Sequence, residues 1–123
     1  MAIIHKTFAA WFATALLLFV AGDHYLNAQS VSIYSAIVGT VTDPSGGSVS
    51  NATVTATNAS TNISISAVTD SQGFYRIDRL VLGTYTLSVT KTGFQAVMDQ
   101  GIHMSSAQTV RTDFKLQVGS IAQ

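Results

Sequence analysis

From Ala36 to Leu116 this chain alternates between apolar and polar residues with a period of two. Ile37, Gly39 and Val41 are spaced by Val38 and Thr40, and Ala52, Val54 and Ala56 by Thr53 and Thr55. Ile63, Ile65 and Ala67 follow, then Tyr75 and Ile77, then Tyr85, Leu87 and Val89 among Thr84, Thr86, Ser88 and Thr90. A weaker run starts at Gly93 and reaches Met98, and Val110, Thr112, Phe114 and Leu116 close the series. Residues two apart on a pleated strand face the same way, so each run offers one apolar face and one wet face. No window here carries the i, i+3, i+4, i+7 stripe of a helix. Turn chemistry interrupts the runs at Asp43-Pro44-Ser45-Gly46-Gly47, Asn58 to Asn62, Asp70-Ser71-Gln72-Gly73 and Gly83, each supplying side-chain caps or positive φ. Six or seven short segments so spaced predict an all-β, antiparallel sandwich. A transmembrane barrel also alternates, but with strands of about 9–11 residues and aromatic girdles. The predicted core is Ile37, Val41, Val54, Ile65, Tyr75, Ile77, Leu80, Tyr85, Leu87, Val89, Phe114 and Leu116.

The N-terminus reads differently. Lys6 precedes an apolar run from Phe8 to Gly22, and Asp23 and His24 end it. The run is shorter than the roughly 20 residues a spanning helix needs. A basic start, a short apolar middle and a polar end predict a helical secretory signal peptide over 1–28. Cleavage after Ala28 is expected, with a cut after Gly22 as the alternative. An uncleaved anchor competes with this reading; Asp23 and His24 count against it, and no transmembrane span is expected after cleavage. Either way the rest of the chain is exported. The remaining boundaries are a disordered lead-in over 29–35, a domain over 36–117 and a tail over 118–123. Such an exported domain without cysteine has no disulfide framework, which suits a bacterial envelope better than an animal extracellular fluid.

Three motifs then line up. They are Gly39-Thr40-Val41-Thr42-Asp43 with Gly46-Gly47 and Ala52-Thr53-Val54; Thr69-Asp70-Ser71-Gln72-Gly73-Phe74-Tyr75; and Leu80-Val81-Leu82-Gly83-Thr84-Tyr85-Thr86-Leu87-Ser88-Val89 with Gly93-Phe94. In this order the chain resembles the carboxypeptidase regulatory-like domain over about Ile37 to Leu116. The resemblance implies a seven-stranded, transthyretin-like Greek-key sandwich without catalysis or a zinc ligand. It also implies the setting in which such domains follow the signal peptide of TonB-dependent outer-membrane receptors, and a fold grouped with carbohydrate-binding modules. A receptor would continue past Gln123 into plug and barrel, so the chain is read as a fragment or a free-standing copy. It departs from the family pattern at Ser50-Asn51 and at Leu82, where relatives tend to have proline. Those changes loosen loops without removing a turn glycine. Gly39, Asp70, Gly73, Tyr75, Leu80, Gly83 and Tyr85 are expected in structural turn and core roles. Gly73 and Gly83 would take positive φ, Asp70 would cap its turn, and both tyrosine hydroxyls would reach loop carbonyls.

Reactive chemistry finds little support. Beyond the signal His103 is the only histidine and glutamate is absent, so a zinc peptidase site has neither ligands nor base. A Ser-His-Asp triad through His103 with Asp99 or Asp113 lacks any nucleophile motif. Asp43, Asp70 and Asp78 are hard-oxygen donors, yet no calcium-loop spacing gathers them; turn capping is the expected role. The glycines match no phosphate-binding loop. Past the signal five Lys and Arg face five Asp, which leaves nothing to neutralise a row of phosphates and excludes nucleic acid. A sugar site needs an exposed aromatic with polar neighbours. Phe74, Phe94 and Tyr34 are the candidate platforms, with Asn58, Asn62 and Gln95 as partners. Three Asn-x-Ser/Thr triplets, at Asn51, Asn58 and Asn62, are read as loop and strand-edge residues. Open strand edges would also take a partner strand, with Lys91, Arg111 and Lys115 blunting them. The reading is a non-enzymatic, cofactor-free binding or interaction domain of the cell envelope, outer membrane or extracellular space. Its partner would be a protein or the remainder of an outer-membrane receptor. The alternative is a carbohydrate-binding module, with a hydrolase a distant third.

Overall fold

The computed structural model describes residues 32–119, and every regular element in them is a β-strand. The signal peptide expected over 1–28, the first residues of the lead-in and residues 120–123 lie outside the described residues. The strands are β1 (Ser35–Thr42), β2 (Thr53–Asn58), β3 (Ser64–Val68), β4 (Phe74–Leu80), β5 (Gly83–Thr90), β6 (Val97–Met104), β7 (Thr109–Arg111) and β8 (Phe114–Lys115). They form two sheets. One runs β3-β2-β5-β6, entirely antiparallel. The other runs β4-β1-β7, with β8 also on β1. The described residues are therefore all-β, as the alternation predicts, but with corrections.

Among the described residues there are eight strands rather than seven, and the sandwich is mixed rather than wholly antiparallel: β7 and β8 run parallel to β1. Both corrections trace to one place. The single run expected over Val110 to Leu116 breaks at Thr112-Asp113, where the Asp113 carboxylate replaces a ladder carbonyl. Its Oδ1 accepts the Thr40 N–H at 2.8 Å and the Thr40 hydroxyl at 3.1 Å. The break lies opposite Gly39. A Cβ built there would stand 1.8 Å from the Thr112 carbonyl oxygen and 2.9 Å from Tyr75 Cε1, so only glycine leaves room for the crossing.

The sixth strand is also shifted. Gly93, expected to open it, sits instead in a turn at φ 90°, closed by the Phe94 N–H on the Lys91 carbonyl at 3.0 Å. β6 begins at Val97 and carries a bulge. Its register against β5 slips between Tyr85 and Leu87, with Gly101 at φ 77°. The extra residue disrupts period two there, which is why alternation fails to mark this strand. Boundaries move slightly as well: Ser35, placed in the lead-in, opens β1 and is buried, and Gly119 in the tail donates to the Gly93 carbonyl.

The core lies between the sheets. All of the predicted interior residues are buried except Ile65, which is half-buried on the edge strand β3. Val49, Ala52, Ala56 and Met104 complete it. Val49 lies in the β1–β2 connection, held by its N–H on the Val41 carbonyl at 2.9 Å, and no alternation points to such a loop residue. Burying large side chains contributes about 1.5–3 kcal/mol each, offset mostly by chain entropy. Among the described residues no helix is long and apolar enough to cross a membrane.

Candidate functional site

One pole of the sandwich is tied down by carboxylates. Asp43 Oδ1 accepts the N–H of Ser45 at 2.9 Å, its hydroxyl at 2.6 Å and the Gly47 N–H at 2.8 Å. The Ser45 hydroxyl, followed by the Gly47 N–H, holds the Asp43 carboxyl below its ordinary pKa. Asp70 repeats the device, accepting from Gln72 N–H at 2.9 Å and Phe74 N–H at 3.0 Å. Gly73 follows at φ 76°. In each carboxylate Oδ1 caps its own turn. Asp78, the third hard-oxygen candidate, pairs with Arg76 at 2.7 Å on the exposed side of β4. Among the described residues no three metal-ligating side chains gather.

The buried polar groups are likewise bonded into the fold. The Tyr75 hydroxyl donates to the Thr112 carbonyl and that of Tyr85 to the Val81 carbonyl at 2.9 Å. Burial first, then the nearby Asp113 charge, pushes the Tyr75 phenol well above its ordinary pKa, so it stays a neutral donor. Leu80 is fully buried, and Gly83 takes φ 149° against the Asn58 side chain. His103 is exposed at the edge of β6, its Nδ1 3.2 Å from the Thr84 hydroxyl. No carboxylate contacts it among the described residues.

Four of the six residues proposed from sequence for ligand contact, Phe74, Phe94, Gln95 and Asn58, do not converge. Phe74 is 37% exposed on the outer face of the β4-β1-β7 sheet, beside Thr40. Phe94 is half-buried against the core and walls a shallow hollow with Asn51, Thr53, Thr90 and Lys91 at the carboxylate-tied pole. Gln95 is exposed next to it, its N–H held by the Gln117 carbonyl at 2.8 Å. Asn58 lies at the opposite pole. It is only 4% exposed, and its Oδ1 accepts from Ser60 N–H at 2.9 Å and Thr61 N–H at 3.2 Å. Its Oδ1 shapes a turn.

A second hollow lies where Tyr34 is the one candidate platform. At this second pole β4 carries a bulge: Ser35 pairs with Leu80 and Ile37 with Ile77, so Ala36 faces both Asp78 and Arg79. Arg79 sits at φ 64°, and nearby Ala107 at φ 55°. The left-handed region costs a side-chain-bearing residue about 1–2 kcal/mol. Both residues line one cavity of about 370 Å³ together with Tyr34, Arg76, Asp78 and Gln108. Tyr34 is 45% exposed, and the Arg79 guanidinium lies 6.0 Å from its ring centre. Across Arg79 is a smaller apolar hollow of about 150 Å³ walled by Ile63, Ile65 and Val81. The only sequence signal for this site is arginine at a bulge position that glycine fills more easily. That signal becomes visible only once the register is known.

The profile of the carboxypeptidase regulatory-like domain matches residues 36–117. The chain is 38% identical over 94 residues to Structural protein 27 of a virus (isolate Australia/Victoria), covering 76% of this chain and 17% of that protein. It is 36% identical over 83 residues to the TonB-dependent transporter Oar of Myxococcus xanthus, covering 67% of this chain and 8% of that one. It thus spans less than a fifth of either relative. Among solved structures, a "putative carbohydrate binding protein" from Bacteroides uniformis superposes with a TM-score of 0.55 at 18% identity, over 67% of this chain and 40% of that one. Hydroxyquinol 1,2-dioxygenase from Pseudomonas putida DLL-E4 gives 0.58 at 9% identity, over 72% and 57%. At such identities the superpositions speak for the fold alone. With Gly39, Gly73 and Tyr75 fixed in turn and core, and the family profile running from β1 past β8, the chain belongs to the carboxypeptidase regulatory-like domain family.

Proposed function

We propose that this domain is an exported, non-catalytic accessory module of the cell envelope, working by binding, within or beside a TonB-dependent-receptor-like protein. One observation carries the reading. Among the described residues every buried side-chain nitrogen and oxygen has a hydrogen-bond partner inside the fold. The polar interior is thus committed to shape rather than to chemistry. The likeness to the Myxococcus xanthus transporter supports the receptor setting, and the apolar run of Phe8 to Gly22 supports export. The test is fractionation of cells making the full chain, with mass spectrometry of the N-terminus. The expected product begins at Gln29 or Asp23 and is found in the envelope. An intact Met1 terminus in the cytoplasm would overturn the reading, as would peptidase or esterase turnover lost in His103→Ala.

A second reading is a carbohydrate-binding module. It is favoured by the exposed aromatics Tyr34 and Phe74 and by the fold shared with the Bacteroides uniformis protein. A glycan array run with the wild-type chain, Phe74→Ala and Phe94→Ala separates the two. Binding that either variant abolishes supports the module, and a blank array removes it.

A further inference from the structure

We infer that the cavity beneath the β4 bulge is a binding site for a saccharide residue that carries a carboxylate. The inference deepens the binding-domain reading and rests on it. Three features of the cavity point to this ligand. The first is charge. Arg76 and Arg79 both line it, and the single carboxylate there, Asp78, is already paired with Arg76 at 2.7 Å. Among the described residues no carboxylate pairs with Arg79, so the cavity keeps one uncompensated guanidinium, a fork suited to a carboxylate.

The second feature is the rest of the lining. The half-exposed Tyr34 lines the cavity, with the Thr109 hydroxyl and the Gln108 amide among the other lining groups, while the Ser32 hydroxyl is bonded to the Tyr34 backbone. Gln108 Oε1 accepts the Ser105 N–H at 2.9 Å, which leaves its NH2 group to donate. A flat ring beside hydroxyl and amide partners suits a polyhydroxylated ring, and about 370 Å³ lies within the usual range for small-molecule sites. On its β4 side the hollow is poorly suited to an added strand, because β4 carries the bulge and the Arg76–Asp78 pair there.

The third feature is strain. Arg79 and Ala107, on separate segments, both hold left-handed backbone, and both face this cavity. Glycine would relieve the strain at Arg79 but would remove the cation. Residues kept in a costly conformation cluster where function needs their side chains. Arg79 aims its guanidinium over Tyr34 because the bulge turns it there.

The test is calorimetric titration of the full chain with trigalacturonate, its methyl ester, neutral galactotriose and acetate. Trigalacturonate is expected to bind at least about tenfold more tightly than the methyl ester, which keeps the rings and loses the charge. Acetate should not compete at equal concentration, and binding should weaken with salt. Arg79→Gly should lower affinity at least about tenfold while raising the melting temperature. Tyr34→Ala should weaken binding by a similar factor without touching the bulge. The inference is overturned by equal affinity for acid and ester, by no binding of any acidic trimer, or by binding that both variants leave intact. If Arg79→Gly proves unstable, Tyr34→Ala and the ester comparison decide. Binding that ignores the acid and instead depends on Phe94 would refute this site and leave the binding-domain reading standing.

Discussion

The sheet β3-β2-β5-β6 and the sheet β4-β1-β7 handle their polar groups differently. On the outer face of the first, hydroxyls stand in registered ranks: Ser66, Thr55 and Ser88 in one row, Ser64, Thr57 and Thr86 in the next. Its cross-strand hydroxyl pairs, Thr55 with Ser66 and Thr57 with Ser64, are both 2.8 Å and exposed. The second sheet replaces backbone partners with side chains. Asp113 stands in for a carbonyl at Thr40, and Tyr75 reaches through to the Thr112 carbonyl. In the first sheet each residue is one of many alike, so the load is spread. In the second, single groups hold the sheet together, and the strained cavity lies there too.

If that contrast is right, the largest effect comes from the crossing at Gly39. Gly39→Ala forces a methyl group onto the Thr112 carbonyl, and backbone cannot move aside as a flexible side chain can. The expected loss is about 4 kcal/mol or more. Urea denaturation checks it; a loss under about 1 kcal/mol would mean that β7 and β8 are not fixed to β1 as described. Next comes an ordinary core deletion in the regular sheet. Leu87 is fully buried on β5, so Leu87→Ala should cost about 3 kcal/mol, within the usual range for such cavities. Circular dichroism should show the same strand content in the folded variant, since the ladder around it is intact.

How legible each sheet is follows from the same difference. Tyr85, Leu87 and Val89 against Thr84, Thr86 and Ser88 can be read directly because a strand buried on one face must alternate. β1 is equally clear on its own. What alternation does not encode is which strand lies beside it. The parallel return of β7 and β8 rests on the space at Gly39 and the oxygen of Asp113, two residues far apart in sequence. The Gly101 bulge hid most of β6 for a similar reason, since one inserted residue flips the parity. For the site, composition indicated the kind of residue wanted, an exposed aromatic with polar neighbours. Besides Tyr34 and Asn62 it named Phe74, Phe94, Asn58 and Gln95, which the fold scatters over two poles and an outer face. Arg79 and Gln108 could not be grouped with Tyr34 without the β1–β4 register, because nothing local marks a left-handed arginine.

A third test addresses the carboxylate that substitutes for backbone. Burial raises the Asp113 pKa, but the Thr40 N–H, then the Arg111 guanidinium and the Thr40 hydroxyl, outweigh it and hold the group below its ordinary value. A depressed native pKa means the stabilisation is complete above the unfolded value near pH 4. It is lost as pH falls through the native one. Asp113→Asn should therefore cost about 1 kcal/mol at neutral pH, since half-exposed charges are screened, and should flatten the acid limb of the stability curve. Part of the slope should survive, because Asp43 is depressed too. Stability measured from about pH 2 to 7 is the check; an unchanged acid limb would mean that the carboxylate adds nothing beyond its shape.

The smallest effect should come from the hydroxyl ranks. Thr55→Val keeps the β-branched shape that a strand favours and removes only the 2.8 Å contact with Ser66. Both groups are exposed, so water takes the vacated position and the net change should stay within about 0.5 kcal/mol. The same substitution at Thr57 should behave alike, since its partner Ser64 stands in the same geometry. The two changes together should add, because each hydroxyl pair is closed on itself. The measurement is the urea midpoint at constant slope. A loss above about 1.5 kcal/mol for either single variant would show the ranks acting as a cooperative network. Regularity would then no longer mean that the load is spread, and the contrast between the sheets would fail at its quiet end.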